Sequence, residues 1–351
     1  MLTKVDIEYA ATRLVAGELV AFSTETVYGL GGDAECPSAV AAIYAAKGRP
    51  TDHPVIVHLS PEGDPAYWTD YLLPSARRLI DAFWPGPLTL IVKRAPHISM
   101  AISGGQDSVG LRCPSHPVAQ ALLRDFVRLK GGQAGVAAPS ANRFGRVSPT
   151  SAQHVRDEFH GMTGVTIHVL DGGACSIGIE STIIDLSRGF PALLRPGHVT
   201  LEEVANVLGE IPQLPGQEIG NVPRASGMLK AHYSPRTPLF LLNAEEILSV
   251  LSVHPANAPM AVVAFPATLS KVSVLPADIF SVALPHTPTM LANQLYALLR
   301  RLDHMDMSCI LFEALPDISD WAAINDRLRR AAATFLNIEP LHLIAKDNII
   351  R

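Results

Sequence analysis

The feature that most limits the fold is an interruption. Apolar residues recur at helix or strand spacing along nearly all of the 351-residue chain, but between residues 211 and 238 (IPQLPGQEIGNVPRASGMLKAHYSPRTP) that periodicity stops and five prolines fall. A stretch this long without pattern is no ordinary connection, so it is a linker or a functional loop. It divides the chain into a domain of residues 1–210 and a second of residues 239–351, with 211–238 between them. Two domains is also the prior for this length. Hydrophobic residues at 48% and charged residues at 17% supply material for two cores and exclude a disordered chain.

Before the interruption, helical and strand patterns intermingle. Ile7, Ala11, Leu14 and Val15 make one stripe of a helix over 3–16, with Thr3 and Asp6 as a capping pair. ELVAFSTETVYGLGG reads as a strand entering a glycine turn, and 36–47 as a helix stopped at Gly48. Strands are expected at 55–59, 88–94, 108–113, 166–170, 181–186 and 192–195, and 135–142 reads as a strand running into a turn. Helices are expected at 75–84 and 117–123, and after the Thr200/Glu203 capping box. The domain is α/β or α+β. After the interruption, strands at 239–242, 260–265 and 308–315 alternate with helices after Asn243, at 288–303 and at 319–333, which predicts a small, open, mostly parallel sheet.

Several classes of function are excluded. The net charge is −5, divided as −2 over residues 1–236 and −3 over 237–351, without the basic excess of a protein that grips phosphate backbones over a wide surface. Cys36, Cys113, Cys175 and Cys309 stand far apart with no Cys-x-x-Cys, so neither a zinc site nor a disulfide framework is expected. No signal-peptide core and no long apolar run occurs, and a cytoplasmic protein without a membrane span is the expectation. There is no Walker A loop, G-x-G-x-x-G, H-E-x-x-H or G-x-S-x-G.

What remains is a scatter of polar residues in unusual places. Thr24, Thr26 and Tyr28 alternate and share one face if 23–28 is a strand, either as an ordinary half-exposed surface or as a hydroxyl-lined wall. Lys47 and Arg49 flank Gly48 at a helix end, where they complement the helix dipole or hold phosphates. His58 closes an apolar strand, a place where a core histidine is the commoner reading. Arg112 lies inside an apolar strand, where a buried guanidinium needs a partner. AAPSANRFGRVSPT gathers Ser140, Asn142, Arg143, Arg146 and Ser148 in one turn that suits an anion or nucleotide, or is an ordinary Asn/Ser turn. Ser181 and Thr182 follow glycine-rich turns, and Arg195 ends a strand. Lys230, His232, Tyr233 and Ser234 crowd into five residues of the interruption and read as a loop that folds over a site.

Taken in order, S-T-E-T-V-Y-G-L-G, K-G-R-P, Ser140-x-Asn142, S-I-G-I-E-S-T, L-R-P-G and H-Y-S-P resemble one family, the threonylcarbamoyl-AMP synthases with a YrdC-like domain, in their long two-domain form. The resemblance is dense over residues 5–238. It implies a YrdC-like α/β domain with a mixed twisted sheet around a concave cleft, followed by a smaller Rossmann-like α/β domain. The implied reaction joins L-threonine, bicarbonate or CO2, and ATP into threonylcarbamoyl-AMP and pyrophosphate. The product serves threonylcarbamoyladenosine in tRNA through a separate transferase complex, so no stable grip on tRNA and no membrane contact is expected.

The same resemblance assigns residues. Thr26, His58, Arg112, Ala138 and Ser181 fall on the threonine side, with Arg112 facing the carboxylate. Lys47, Arg49, His53, Ser108, Ser140, Asn142, Ser148, Arg195, His232 and Tyr233 fall on the ATP side, with Lys47 and Arg49 as catalytic cations and Tyr233 and His232 closing over the nucleotide. Mg accompanies ATP, with no protein metal ligand, zinc or redox cofactor. Two positions depart from the family pattern: Ser23 stands where proline is usual, and His53 where asparagine is common. The competing readings are a module that binds double-stranded RNA by shape and a hydrogenase-maturation carbamoyltransferase. The second would carry Cys-x-x-Cys pairs, which are absent.

Overall fold

A computed structural model describes residues 2–214, 222–253 and 259–336; part of the interrupting stretch, 215–221, lies outside these. The chain forms two compact units. One holds Met1–Phe144 and Ser148–Met228, the other Gly145–Val147 and Leu229–Arg351.

In chain order the first unit contains α1 (Lys4–Val15), β1 (Leu19–Phe22), β2 (Gly29–Asp33), α2 (Pro37–Lys47), β3 (Ile56–His58), α3 (Pro74–Phe83), β4 (Leu88–Lys93) and β5 (Ser108–Arg112). It continues with α4 (Pro117–Lys130), β6 (Val136–Ala137), α5 (Ala152–Phe159), β7 (Ile167–Leu170), β8 (Thr182–Asp185), β9 (Ala192–Arg195) and α6 (Leu201–Leu208). The strands build one mixed sheet in the order β7-β1-β2-β6-β3-β5-β4-β8-β9. β1/β7, β3/β5 and β4/β8 are parallel, and the other neighbours antiparallel. Alternation along β1 sends Val20 and Phe22 to a core under α1 and α4, and Leu19 and Ala21 to a second core under α2, α3 and α6.

The local signals act as read. Thr3 with Asp6 and Thr200 with Glu203 form reciprocal capping boxes, and Gly48, at φ 61°, ends α2 in the left-handed region. Three readings need correction. Residues 23–28 are not strand: the Thr24 hydroxyl donates to the Val27 carbonyl at 2.6 Å and accepts from the Val27 amide, which closes a turn. α4 continues beyond 123 because Phe126 extends its buried face. α5 went unread, although Ser151 caps it and Val155 is buried.

The second unit contains β10 (Leu239–Leu242), α7 (Ala244–Ser252), β11 (Met260–Ala264), α8 (Pro266–Leu269), β12 (Ile279–Ala283), α9 (Pro288–Asp303), β13 (Cys309–Glu313) and α10 (Ala322–Ala332). Among the described residues its strands are four and all parallel, in the order β10-β13-β11-β12. α9 buries Leu291, Leu295, Leu298, Leu299 and Leu302, the side anticipated. β12 and α8 were not anticipated; β12, IFSVA, is a largely half-buried edge strand. Among the described residues no helix is long and apolar enough to cross a membrane.

Candidate functional site

The centre of the first unit's sheet carries the polar residues. His58 ends β3 and pairs in register with Arg112 at the end of β5. Both side chains are buried. Burial, and then the Arg112 guanidinium, push the His58 pKa down to about 3, so the imidazole is neutral at ordinary pH. Its Nδ1 has no hydrogen-bond partner among the described residues. Arg112 is pinned twice: Nε donates to the Gly86 carbonyl at 3.3 Å, and Nη2 donates to Glu25 Oε1 at 2.6 Å. No described residue accepts a hydrogen bond from Nη1. Glu25 is the partner that Arg112 required, and the sequence reading passed over it.

The turn carrying Glu25 also brings Thr26 Oγ1 to 2.9 Å from Thr24 Oγ1. Tyr28 does not share their face; its hydroxyl donates to the Gly173 carbonyl at 2.7 Å. Ser181, just before β8, lies 2.7 Å from the Thr89 hydroxyl of β4 and accepts from Arg195 Nη2 at 3.1 Å. Arg195 therefore braces Ser181, and its Nε also donates to the Ser181 carbonyl.

Lys47 and Arg49 flank Gly48 at the end of α2, and both are buried. Lys47 Nζ donates to the Ser140 carbonyl at 2.6 Å and to the Asn142 carbonyl, which ties the helix end to the serine–asparagine turn. Burial, then Arg49, holds its pKa well below the usual lysine value. Arg49 donates to the Pro54 carbonyl and to the Ser226 hydroxyl, and its guanidinium lies over the Phe144 ring, 5.6 Å from its centroid. His53 meets the same ring edge-on at 5.3 Å. Ser148 donates to Glu180 Oε1 at 2.5 Å. Ser140 bridges to Gly29, and the Ala138 amide donates to the Ile56 carbonyl, so both follow from the β6 pairings.

Residues 222–228 pack on this unit. Ala225 joins Ile56, Ile91, Ile183 and Leu194 in an apolar cluster, and the Ser226 carbonyl accepts from Arg195 Nη1 at 2.9 Å. Ser108 and Gly110 face Arg224, Ala225 and Ser226 across a cavity of about 10 Å³, room for a single water. Ser226 was not singled out from sequence, because nothing in its proline-rich surroundings has a period. His232 and Tyr233 belong to the second unit, where Tyr233 stacks on Tyr296 at 5.8 Å and Arg327 lies 5.4 Å from its ring centroid.

Residues 12–197 match the family model described as Telomere recombination (Sua5_yciO_yrdC), and residues 199–333 match the one described as Threonylcarbamoyl-AMP synthase, C-terminal domain. Among curated relatives, the threonylcarbamoyl-AMP synthase of Pyrococcus abyssi is 35% identical, over 93% of this chain and 94% of its own. The chain belongs to the threonylcarbamoyl-AMP synthase family. The synthase of Bacillus subtilis is 37% identical, over 93% of this chain and 92% of its own. A solved structure of Pyrococcus abyssi Sua5 complexed with L-threonine superposes at TM-score 0.79 with 33% identity, over 95% of each chain. A double variant of that protein, with a histidine and the following tyrosine each replaced by alanine, gives 0.81 over 94% and 93%. The two-domain synthase fold implied by the motifs is therefore present here. The family finding favours the synthase reading over the RNA-binding one.

Proposed function

We propose that this chain is an L-threonylcarbamoyladenylate synthase, an ATP-using nucleotidyltransferase. The observation that carries the reading is Arg112, a buried guanidinium held at Nε and Nη2 with Nη1 left over, paired in register with a neutral histidine. That arrangement suits a small substrate bearing a carboxylate, which a guanidinium binds through two parallel N–H donors. The neighbouring hydroxyls of Thr26 and Ser181 and the unpartnered Nδ1 of His58 suit its ammonium and hydroxyl groups.

In this reading the threonine nitrogen adds to CO2, forming the N–C bond of a carbamate and releasing a proton. A carbamate oxygen then attacks the α-phosphorus of ATP. A P–O bond forms, the bond to the bridging oxygen breaks, and pyrophosphate leaves with the electron pair. Lys47 and Arg49 offset charge on the triphosphate, and Ser140, Asn142, Ser148, Arg195, Ser108 and His53 line the nucleotide side. Ala138 offers backbone to threonine, and the H-Y-S-P motif assigns His232 and Tyr233 to ATP. A magnesium ion accompanying ATP would supply further charge neutralisation on the triphosphate beside Lys47 and Arg49. Cys113 and Cys175 have pKa values pushed up to about 12 by burial, and the scheme asks no nucleophile of them. The product passes to a tRNA-modifying transferase complex in the cytoplasm.

The test is pyrophosphate release by the purified protein with ATP and magnesium, omitting threonine and bicarbonate in turn. Release that needs both is expected. Release that needs neither overturns the reading.

A further inference from the structure

Glu25 is almost wholly buried, yet nothing in the reaction proposed above uses it. Its bonds show what it does. Oε1 accepts from Arg112 Nη2 at 2.6 Å, and Oε2 accepts from the Ser115 amide at 3.1 Å. Its own carbonyl accepts from the Ile177 amide at 2.8 Å. One residue thus joins the T-E-T turn that carries Thr26, the end of β5 that carries Arg112, and the loop that leads to Ser181. These are three of the segments assigned to threonine.

We propose that Glu25 is the positioning residue for amino-acid recognition: it fixes the guanidinium of Arg112 so that Nη1 and the second proton of Nη2 face the substrate carboxylate. The inference rests on the synthase reading and names the device by which that site selects an α-carboxylate. An arginine side chain has four rotatable bonds, and holding it in one rotamer before the ligand arrives removes that entropy from binding. Two anchors at Nε and Nη2 define the guanidinium plane, and the carboxylate then meets a fixed fork. In this scheme Glu25 acts through Arg112 and Ser115, to which its two oxygens are bonded, and not on the ligand.

Position and charge make opposite forecasts for two conservative variants. Glu25→Gln keeps the length and an acceptor oxygen for Nη2 while removing the charge and the acceptor for the Ser115 amide. Glu25→Asp keeps the charge but draws the acceptor back by one methylene. Positioning predicts that Glu25→Asp weakens threonine binding by roughly tenfold or more, because misplacement on the order of 1 Å is costly at an oriented site. It also predicts that Glu25→Gln stays within about threefold of wild type, and that ATP affinity is unchanged in both.

The experiment is calorimetric titration of L-threonine, and separately of ATP, into the full chain and both variants. Threonine binding by Glu25→Asp at wild-type strength overturns the inference. So does a parallel loss of ATP affinity, which would report general damage, or a Glu25→Gln loss equal to that of Glu25→Asp, which would make charge the property that matters. If Glu25→Asp fails to fold, the guanidinium protons of Arg112 in the wild type decide by NMR. Resolved, slowly rotating Nη signals before threonine is added support the inference, and averaged signals overturn it. A wild type that binds no threonine overturns the synthase reading and this inference with it, whereas a wild type that binds while Glu25→Asp binds equally overturns this inference alone.

Discussion

Arg112 Nη2 donates to Glu25 Oε1 across 2.6 Å, with the two side chains only 5% and 4% exposed. An ion pair removed from water to this degree is costly to break from one side, because the remaining charge keeps its desolvation penalty and loses its partner. Arg112→Ala alone is expected to lower stability by about 3–5 kcal/mol and to abolish threonine-dependent turnover. The double variant Arg112→Ala/Glu25→Ala is expected to be less destabilised than the two singles summed. Urea unfolding of all three checks this, and strictly additive losses would show that the two side chains are not coupled.

Lys47 supplies the tie between α2 and the serine–asparagine turn. Its replacement by methionine keeps most of the stem and removes the ammonium. Adenylate formation is expected to fall by on the order of 10²–10³ while threonine affinity stays near wild type, since a fixed cation acts mainly on developing charge. Equal losses of threonine binding and turnover would place Lys47 in the architecture rather than the chemistry.

Gly197 has no room for a side chain. A Cβ there would lie 2.3 Å from the Thr182 amide nitrogen and 2.7 Å from the Ser181 carbonyl carbon. Backbone cannot yield as a flexible side chain does, so Gly197→Ala is expected to displace Ser181 and Arg195 together. The forecast is a loss of activity larger than the loss of melting temperature would explain. Wild-type kinetics in a Gly197→Ala protein would contradict it.

His58 makes stability depend on pH with a definite sign. Its folded pKa, about 3, lies below the unfolded value of about 6.5, so the unfolded chain binds the extra proton between them. Stability is therefore complete above about pH 6.5 and is lost as pH falls toward the folded value. His53, His116 and His168 are shifted down as well, chiefly by burial, and add to the slope. Replacing His58 by glutamine, which does not titrate, is expected to flatten the fall in denaturant midpoint between about pH 6.5 and pH 5 relative to wild type. An unchanged slope would mean His58 is not buried in solution as it is here.

What was legible in the sequence was local or repeated. The capping boxes of Thr3 with Asp6 and Thr200 with Glu203 involve neighbours three residues apart, and the α9 leucines repeat at helical spacing. The isolation of Arg112 in an apolar strand announced that a partner existed, but the partner lies 87 residues away in a turn whose alternating hydroxyls imitate a strand. Edge strand β12 carries strand-forming residues in IFSVA, but its place at the sheet edge shows only in the fold. The motif resemblance named residues expected to touch ligands. It was silent on those that hold them in place, Glu25, Thr89 and Ser226, since their partners come together only in the folded sheet.

The distances along the chain at which those partners meet also set an order of assembly. β1 pairs in parallel with β7, Leu19 opposite Ile167, and Glu25 reaches Arg112, Ser115 and Ile177. Contacts of such long sequence separation form slowly, because the loops between them must close first. As the chain emerges from a ribosome, α1 and α2 are free to coil early, while the cluster of Glu25, Arg112 and Ser181 must wait for the loop before β8. That cluster is therefore a late product of biogenesis, and any ligand that binds only the finished form stabilises it by mass action.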